Sequence, residues 1–219
     1  MRTNLVGNPK GVPDRTYNEP DKIDRLMTDL VSANPDVGRG AAYALGIMKE
    51  DAAPAVPRLR EALEARDLNI RRNAAWVLSQ VGEASATAFP ELKEALKDRY
   101  FQVKLSVTIA LCSIGKEAAP AVSELIGVLK NKDEDWRVRT AAVGALESIG
   151  QEALSAVPQL KEMLKNCKEL DIVRAVTLAF IKIGKEAVAF AIPELKEMAN
   201  HRDPDIRANV AEALTLLKE

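Results

Sequence analysis

The stretch IRRNAAWVLSQVGEASATAFPELKEAL, residues 70–96, decides the fold, because near-copies of it recur along the chain. Each copy has a large apolar anchor at the same place. The anchors lie 33, 33, 35, 34 and 34 residues apart: Leu45, Leu78, Leu111, Leu146, Phe180 and Leu214. A period of this size is typical of a solenoid, in which each repeat packs against its neighbours. The repetition runs from about residue 21 to residue 219 and predicts one elongated domain over 21–219.

Each copy contains two helical patterns. In the quoted copy one face of a helix, here called helix A, is apolar: Ile70, Ala74, Val77 and Val81. A glycine four residues after the anchor predicts where helix A ends, as at Gly82 and Gly150. A second apolar stripe with an early proline predicts helix B. A lone B helix before the first A helix and an unpaired A helix at the end bring the expected total to about twelve helices.

Two strings in these copies are similar to a known repeat. Val/Ile-Arg-x-x-Ala-Ala-x-Ala-Leu-Gly-x-Ile-Gly and Ala-Val-Pro-x-Leu-x-x-Ala-Leu-Lys resemble the short HEAT-like repeat, including the type found in phycobilin lyases. The resemblance covers about residues 21–219. It implies an all-α, right-handed α-solenoid of about six repeats, with B helices inside the curve and A helices outside.

The resemblance also implies an Asp–Arg ladder between neighbouring repeats, near the start of each A helix. The residues at these places are Arg71, Arg139 and Arg207, with Asp67, Asp135 and Asp203 nearby. The sequence departs from the pattern at Gly38 and Val173, which replace the arginine, and at Ser123, which replaces the proline.

Composition and charge exclude several classes of partner. With 31 basic and 32 acidic residues the net charge is −1, so the chain has no overall attraction for nucleic acids or anionic membranes. No run of 18 apolar residues occurs, and residues 1–9 lack the apolar core of a signal peptide. We therefore expect a cytoplasmic protein, although an export signal removed earlier would leave no trace. Residues 1–20 have no periodicity and predict a flexible N-terminal arm.

Residues for catalysis or for cofactor and metal binding are not recognisable. His201 is the single histidine, and no Cys-x-x-Cys or His-Glu-x-x-His spacing occurs. The glycines are single helix stops rather than a phosphate-binding loop. Cys112 has no histidine placed to activate it, and we expect it and Cys167 to be reduced. These observations predict a protein that is not an enzyme and has no cofactor.

An apolar row on the A helices is the first candidate binding surface. Two positions before the anchor, where helix A faces solvent, the first three copies have Tyr43, Trp76 and Ile109, with Leu105 one turn away. We call these four residues the aromatic row and interpret it as a protein-binding site on the convex face. The alternative is that Tyr43 and Trp76 fold over neighbouring side chains or lie under the arm. Another aromatic, Trp136, is expected to fill a joint between repeats, as are Leu68, Phe101 and Leu170.

The second candidate surface is acidic and lies on the B helices. Its members, here called the acidic column, are Glu91, Glu94, Glu124, Glu162, Glu194 and Glu197. One interpretation is a concave groove for a basic partner segment, from which nucleic-acid phosphates would be repelled. The other is a solvated face of mixed charge, because lysines and arginines flank the column.

These features together favour a non-catalytic scaffold that docks partner proteins and organises a multi-subunit assembly. Self-assembly through the solenoid ends is a variant, with Val210 and Leu214 of the unpaired last helix as the contact. The alternative is a lyase- or chaperone-like subunit that handles a chromophore or an acceptor protein, as the resemblance to phycobilin lyases implies.

Overall fold

The computed structural model describes residues 19–166 and 169–218, and all regular structure in these ranges is helical. The A helices are α2 (Pro35–Ile47), α4 (Leu68–Val81), α6 (Phe101–Ile114), α8 (Trp136–Ile149), α10 (Leu170–Ile183) and α13 (Pro204–Thr215). The B helices are α1 (Glu19–Leu30), α3 (Val56–Leu63), α5 (Phe89–Ala95), α7 (Val122–Lys130), α9 (Val157–Asn166) and α12 (Ile192–Met198). The twelve predicted helices are confirmed, and one further short helix, α11 (Lys185–Phe190), lies in the last connection.

The helices stack in two layers. Successive A helices pack against one another from α2 to α13, and each B helix packs against the A helix that follows it. The anchors lie at the centre of this packing: Leu45, Leu78, Leu111, Leu146 and Phe180 are fully buried. Leu214 is only partly buried, since no described helix follows α13. The buried side chains form one continuous core, which makes this part of the chain a single α-solenoid.

The connections after the A helices begin with a sharp change of backbone direction. Gly82, Gly115 and Gly150 have φ angles of 70°, 73° and 74°, as the glycine stops predicted. A seven-residue 3-10 helix begins at each of these glycines, and another spans Lys49–Ala55. The last connection, from Gly184, has one residue more before its Ile-Pro pair, and there the backbone forms α11 instead.

Ion pairs join neighbouring repeats along the A helices. A cation near the start of one A helix contacts an acid that lies just before the next A helix. The pairs are Arg71–Asp98 at 2.6 Å, Lys104–Glu134, Arg139–Glu169 at 3.4 Å and Arg174–Asp203 at 2.5 Å. A ladder is therefore present and contains Arg71 and Arg139 as expected, but the acids that pair with them are Asp98 and Glu169 rather than Asp67 and Asp135.

Asp67, Asp135 and Arg207, which were also expected in the ladder, have other contacts. Asp67 and Asp135 accept hydrogen bonds from backbone amides at the start of their own A helices, so they are N-caps. Arg207 donates to the backbone carbonyls of His201 and Arg202. Among the three expected acids, only Asp203 belongs to the ladder. Its partner is Arg174, because Val173 occupies the position where other repeats have the ladder cation.

Two further expectations concern the first residues of the chain and the absence of a membrane-spanning segment. Residues 1–18 of the predicted flexible arm lie outside the described residues, while Glu19 and Pro20 are part of α1. By length and composition alone, one stretch of the described chain, Phe101–Lys130, could cross a membrane. The core helix of a soluble protein passes the same test, and this stretch includes α6 and α7, whose apolar faces lie in the common core.

Candidate docking surface

The period of the chain brings Tyr43 and Trp76 together on neighbouring A helices. Their rings stack with centroids 6.5 Å apart and an interplanar angle of 14°. Gly46 makes room for this arrangement, because a Cβ atom there would lie 2.4 Å from Cζ3 of Trp76. The indole thus lies over α2 and is partly buried, whereas 64% of Tyr43 is exposed. The alternative that both rings fold over neighbouring side chains is therefore correct for Trp76, whereas most of the Tyr43 side chain stays exposed to solvent.

Further apolar side chains extend this surface. Ile47, one turn after Tyr43, is 63% exposed, and Ile109 is 40% exposed. Leu105, the fourth member of the aromatic row, is partly buried and packs against the core. We define the A-face patch as Tyr43, Ile47, Trp76 and Ile109. Sequence reasoning missed Ile47, although its spacing of four residues from Tyr43 places both on one helix face.

A shallow cavity of about 320 Å³ adjoins the stacked rings. Its walls combine aromatic, cationic and neutral polar side chains from three A helices: Arg39, Ala42, Tyr43, Arg72, Asn73, Trp76 and Ser106. Arg39 and Arg72 lie one turn before Tyr43 and Trp76 on their helices. The surface thus offers both apolar contact and hydrogen-bond donors.

Three of the six residues of the acidic column are paired with cations of the preceding repeat. Glu91 contacts Arg60 at 2.7 Å, and Glu124 contacts Lys93 at 2.9 Å. Glu194, whose side chain is only 4% exposed, contacts both Lys161 at 3.3 Å and Lys165 at 2.9 Å. These pairs form a second ladder, on the B helices, and compensate the charge of three members of the column.

The remaining members differ. Glu94 pairs with Lys97 of its own repeat at 2.9 Å, and both side chains are well exposed. Glu162 and Glu197 are exposed and form no ion pair with any residue that the structure describes. The acidic column is therefore a face of mixed charge with two free carboxylates, and its role in binding stays a prediction.

The pKa values follow from these contacts. The hydrogen bond from Arg60 lowers the pKa of Glu91, and hydrogen bonds from Ser123 and Lys93 lower that of Glu124. Burial raises the pKa of Glu194, but hydrogen bonds from Lys165, its own backbone and Lys161 bring it below its usual range. All three glutamates are therefore ionised at neutral pH.

Two expectations about particular side chains need correction. Trp136 is 46% exposed, so the prediction that it fills a joint between repeats is wrong, while Phe101 and Leu170 do pack against the core. Of the two residues expected at the end of the solenoid, Val210 is fully buried in the core and Leu214 is partly exposed, so self-assembly through this end stays a prediction.

A second apolar surface was not predicted. Phe190 and Leu154, both exposed, line a groove of about 240 Å³ with Val157, Pro158 and Glu186. In the sequence, this groove is marked by the extra residue in the connection that begins at Gly184.

The candidate chemical groups have ordinary structural contacts. Nδ1 of His201 accepts a hydrogen bond from the amide of Asp203 at 3.1 Å. Sγ of Cys112 lies 3.1 Å from Oγ of Ser148, and Cys167 lies outside the described residues. Within 19–166 and 169–218 no group of three His, Cys, Asp or Glu side chains is arranged to hold a metal ion.

The paired helices define the class of the protein, an α-solenoid built from repeats. A family model described as HEAT repeats matches residues 23–112 and again residues 89–182, which together make up more than half of the chain. The chain belongs to the HEAT-repeat family.

Several solved structures share this fold. An engineered protein superimposes with a TM-score of 0.74 at 21% identity, over 90% of this chain and 96% of its own. A designed armadillo repeat protein in complex with the peptide (KR)4 gives 0.74 at 17% identity, over 89% and 99%. The complex of CpcE and CpcF of phycocyanin lyase from Nostoc sp. PCC7120 gives 0.63 at 21% identity, over 100% and 82%. Identities this low show the fold alone, and no curated protein sequence matches the chain.

Proposed function

We propose that the chain is a non-catalytic scaffold that docks partner proteins and organises an assembly, and that the A-face patch is its docking site. The observation that carries the proposal is the stacked pair of the exposed Tyr43 and the partly buried Trp76, extended by the exposed Ile47 and Ile109. Aromatic side chains are enriched among the residues that dominate binding energy in protein interfaces. The repeat fold supports the same conclusion, because solenoids provide extended binding surfaces.

The rigidity of the patch favours binding further. Trp76 is held between Tyr43 and the backbone at Gly46, so its position is determined before a partner arrives. A preorganised side chain loses less conformational entropy on association than a mobile one. The patch is therefore a better anchor than isolated exposed residues such as Trp136.

The test compares partners held by wild type with those held by the double variant Tyr43→Glu/Trp76→Glu. A matched control, Ala208→Glu/Ala211→Glu, adds the same charge at exposed positions of α13. After affinity purification from source cells, we expect a partner that wild type and control retain and the patch variant loses. Circular dichroism establishes that all three chains are folded. Equal recovery by all three would refute the A-face patch as the docking site.

A second candidate is a lyase- or chaperone-like subunit. The observation in its favour is the likeness to the phycocyanin lyase complex, which extends over this whole chain. Titration with a free tetrapyrrole separates the two functions. A scaffold should leave the absorbance of the pigment unchanged, whereas a saturable shift in its bands would support the lyase-like function.

A further inference from the structure

The A helices around the patch carry an unbalanced charge. Among the residues of α2, α4 and α6 there are four cations, Arg39, Arg71, Arg72 and Lys104, and one carboxylate, Asp36. The A helices that follow, α8, α10 and α13, together contain five cations and four carboxylates. The excess of cations is therefore larger on the three helices that form the A-face patch, with a net charge of +3 against +1 for the three that follow.

Two of these four cations already form ion pairs within the chain. Arg71 and Lys104 contact Asp98 and Glu134 in the ladder, where both partners are shielded from solvent. They hold neighbouring repeats together and are not available to a partner.

The other two cations are available. Arg72 forms no ion pair within the described chain, and its one side-chain hydrogen bond, to Oδ1 of Asn73, is long at 3.4 Å. Arg39 pairs with Asp36 at 2.6 Å, but both side chains are well exposed, at 67% and 79%. An exposed pair of this kind contributes little to stability, so Arg39 can exchange Asp36 for a partner's carboxylate.

The positions of these guanidinium groups complete the argument. Arg39 and Arg72 line the same cavity of about 320 Å³ as the rings of Tyr43 and Trp76, together with the polar side chains of Asn73 and Ser106. A guanidinium group matches a carboxylate through paired hydrogen bonds, and an aromatic face suits an apolar side chain. The complement of this cavity is thus an apolar side chain with carboxylates beside it.

We infer that the A-face patch recognises an acidic segment of a partner protein, in which an aromatic or aliphatic side chain lies on Tyr43 and Trp76 and neighbouring carboxylates pair with Arg39 and Arg72. This inference rests on the proposed function and specifies the chemistry of the partner. It also distinguishes the two candidate surfaces, since the acidic column would select a basic segment.

The experiment selects binders from a random library of 12-residue peptides displayed on phage, with the intact chain as the immobilised target. We expect the enriched peptides to contain Asp or Glu next to an aromatic or aliphatic residue. Affinities of the corresponding synthetic peptides are then measured by fluorescence anisotropy for wild type, Arg72→Ala, Trp76→Ala and the control Arg202→Ala, which removes an exposed arginine outside the patch.

For these peptides Arg72→Ala should weaken binding about tenfold, Trp76→Ala should weaken it at least as much, and Arg202→Ala should have no effect. Affinity should fall as salt is added, because the contact is electrostatic and accessible to solvent. Arg72→Ala changes a side chain outside the ladder and should unfold at the wild-type urea concentration, so its loss of binding would not reflect loss of fold.

Other outcomes overturn the inference in distinguishable ways. Peptides that need Trp76 but are neither acidic nor sensitive to Arg72→Ala would refute the acidic partner and leave the docking site intact. Basic peptides whose binding is insensitive to Arg72→Ala and to Trp76→Ala would refute the docking site as well and would favour the acidic column as the binding surface. A dimer in sedimentation that Trp76→Ala dissociates would assign the patch to a second copy of this chain.

Discussion

Single residues explain where the copies depart from the repeat. Gly38 stands where later copies have the ladder cation, and a Cβ atom there would lie 2.9 Å from the carbonyl oxygen of Leu30. The lone helix α1 thus approaches α2 too closely for any side chain at this position. The first repeat therefore has no ladder cation at this position, because the backbones of α1 and α2 are in close contact there.

Lys49 is the clearest strained residue of the described chain. It stands four residues after Leu45, where the other connections begin with glycine, and it has a φ angle of 51°. A side chain in the left-handed region costs about 1 kcal/mol, and glycine avoids this cost. We therefore expect Lys49→Gly to raise the free energy of unfolding by about 1 kcal/mol in urea denaturation.

The reverse substitution is the control for this prediction. Gly82 has φ 70° and ψ −138°, a conformation that is essentially restricted to glycine. Gly82→Lys should lower the free energy of unfolding by about 2 kcal/mol. If Lys49→Gly were neutral or destabilising, the backbone at Lys49 would be relaxed rather than strained.

At the scale of elements, the helices could be predicted because their signals are local. Apolar positions at helical spacing and a terminal glycine lie within 14 residues of one another, as from Leu68 to Gly82. The connections could not be predicted in the same way. Seven residues such as Gly82–Ala88 are too few to show a period, so their 3-10 conformation and the change to α11 appear only in the structure.

Contacts between elements were predicted less well, for a physical reason. The ladder joins residues 27 to 30 positions apart, so its pairing depends on how far each repeat is rotated against the next. The row of Tyr43 and Trp76 was predictable, because one residue per repeat recurs at one position. Arg72 escaped notice because it has no counterpart of the same charge in α6, where Leu105 occupies that position.

One residue, Asp203, combines two roles at the junction of α10 and α13. It accepts hydrogen bonds from the amides of Asp205 and Ile206 and pairs with Arg174 at 2.5 Å. The hydrogen bond from Arg174 lowers the pKa of Asp203 to about 2, from an ordinary value of 3.8. Its contribution to stability is thus complete above about pH 4 and is lost as the pH falls through 2.

Asp203→Asn tests this coupling. The amide oxygen can still cap α13, but the charge that pairs with Arg174 is gone. We expect the variant to be less stable than wild type at pH 7 and to lose less stability between pH 4 and pH 2, measured by urea denaturation at each pH. Asp205→Asn, whose exposed carboxylate is 3.7 Å from Arg174, is the control and should have little effect. Parallel pH profiles for Asp203→Asn and wild type would contradict the prediction.

At the scale of the whole molecule, a continuous core coexists with contacts that reach only the neighbouring repeats. The A-face patch is formed by α2, α4 and α6, while the paired end of the acidic column at Glu194 belongs to α12. The two candidate surfaces are thus supported by different repeats. In a nearest-neighbour array, damage at one end should reach the other only weakly.

Removal of residues 204–219 tests this independence. The truncation deletes the buried side chains of Ile206, Val210 and Ala213 and uncovers the face of α10 beneath them. Loss of this apolar burial should cost about 4 kcal/mol, seen as a lower urea midpoint by circular dichroism. The emission of Trp76, recorded in a Trp136→Phe background, should stay unchanged in the absence of urea, because its contacts lie in α2 and α4. A shifted emission maximum in the truncated chain would show instead that the stacked pair depends on the far end of the solenoid, and the patch would then have to be treated as a property of the whole array.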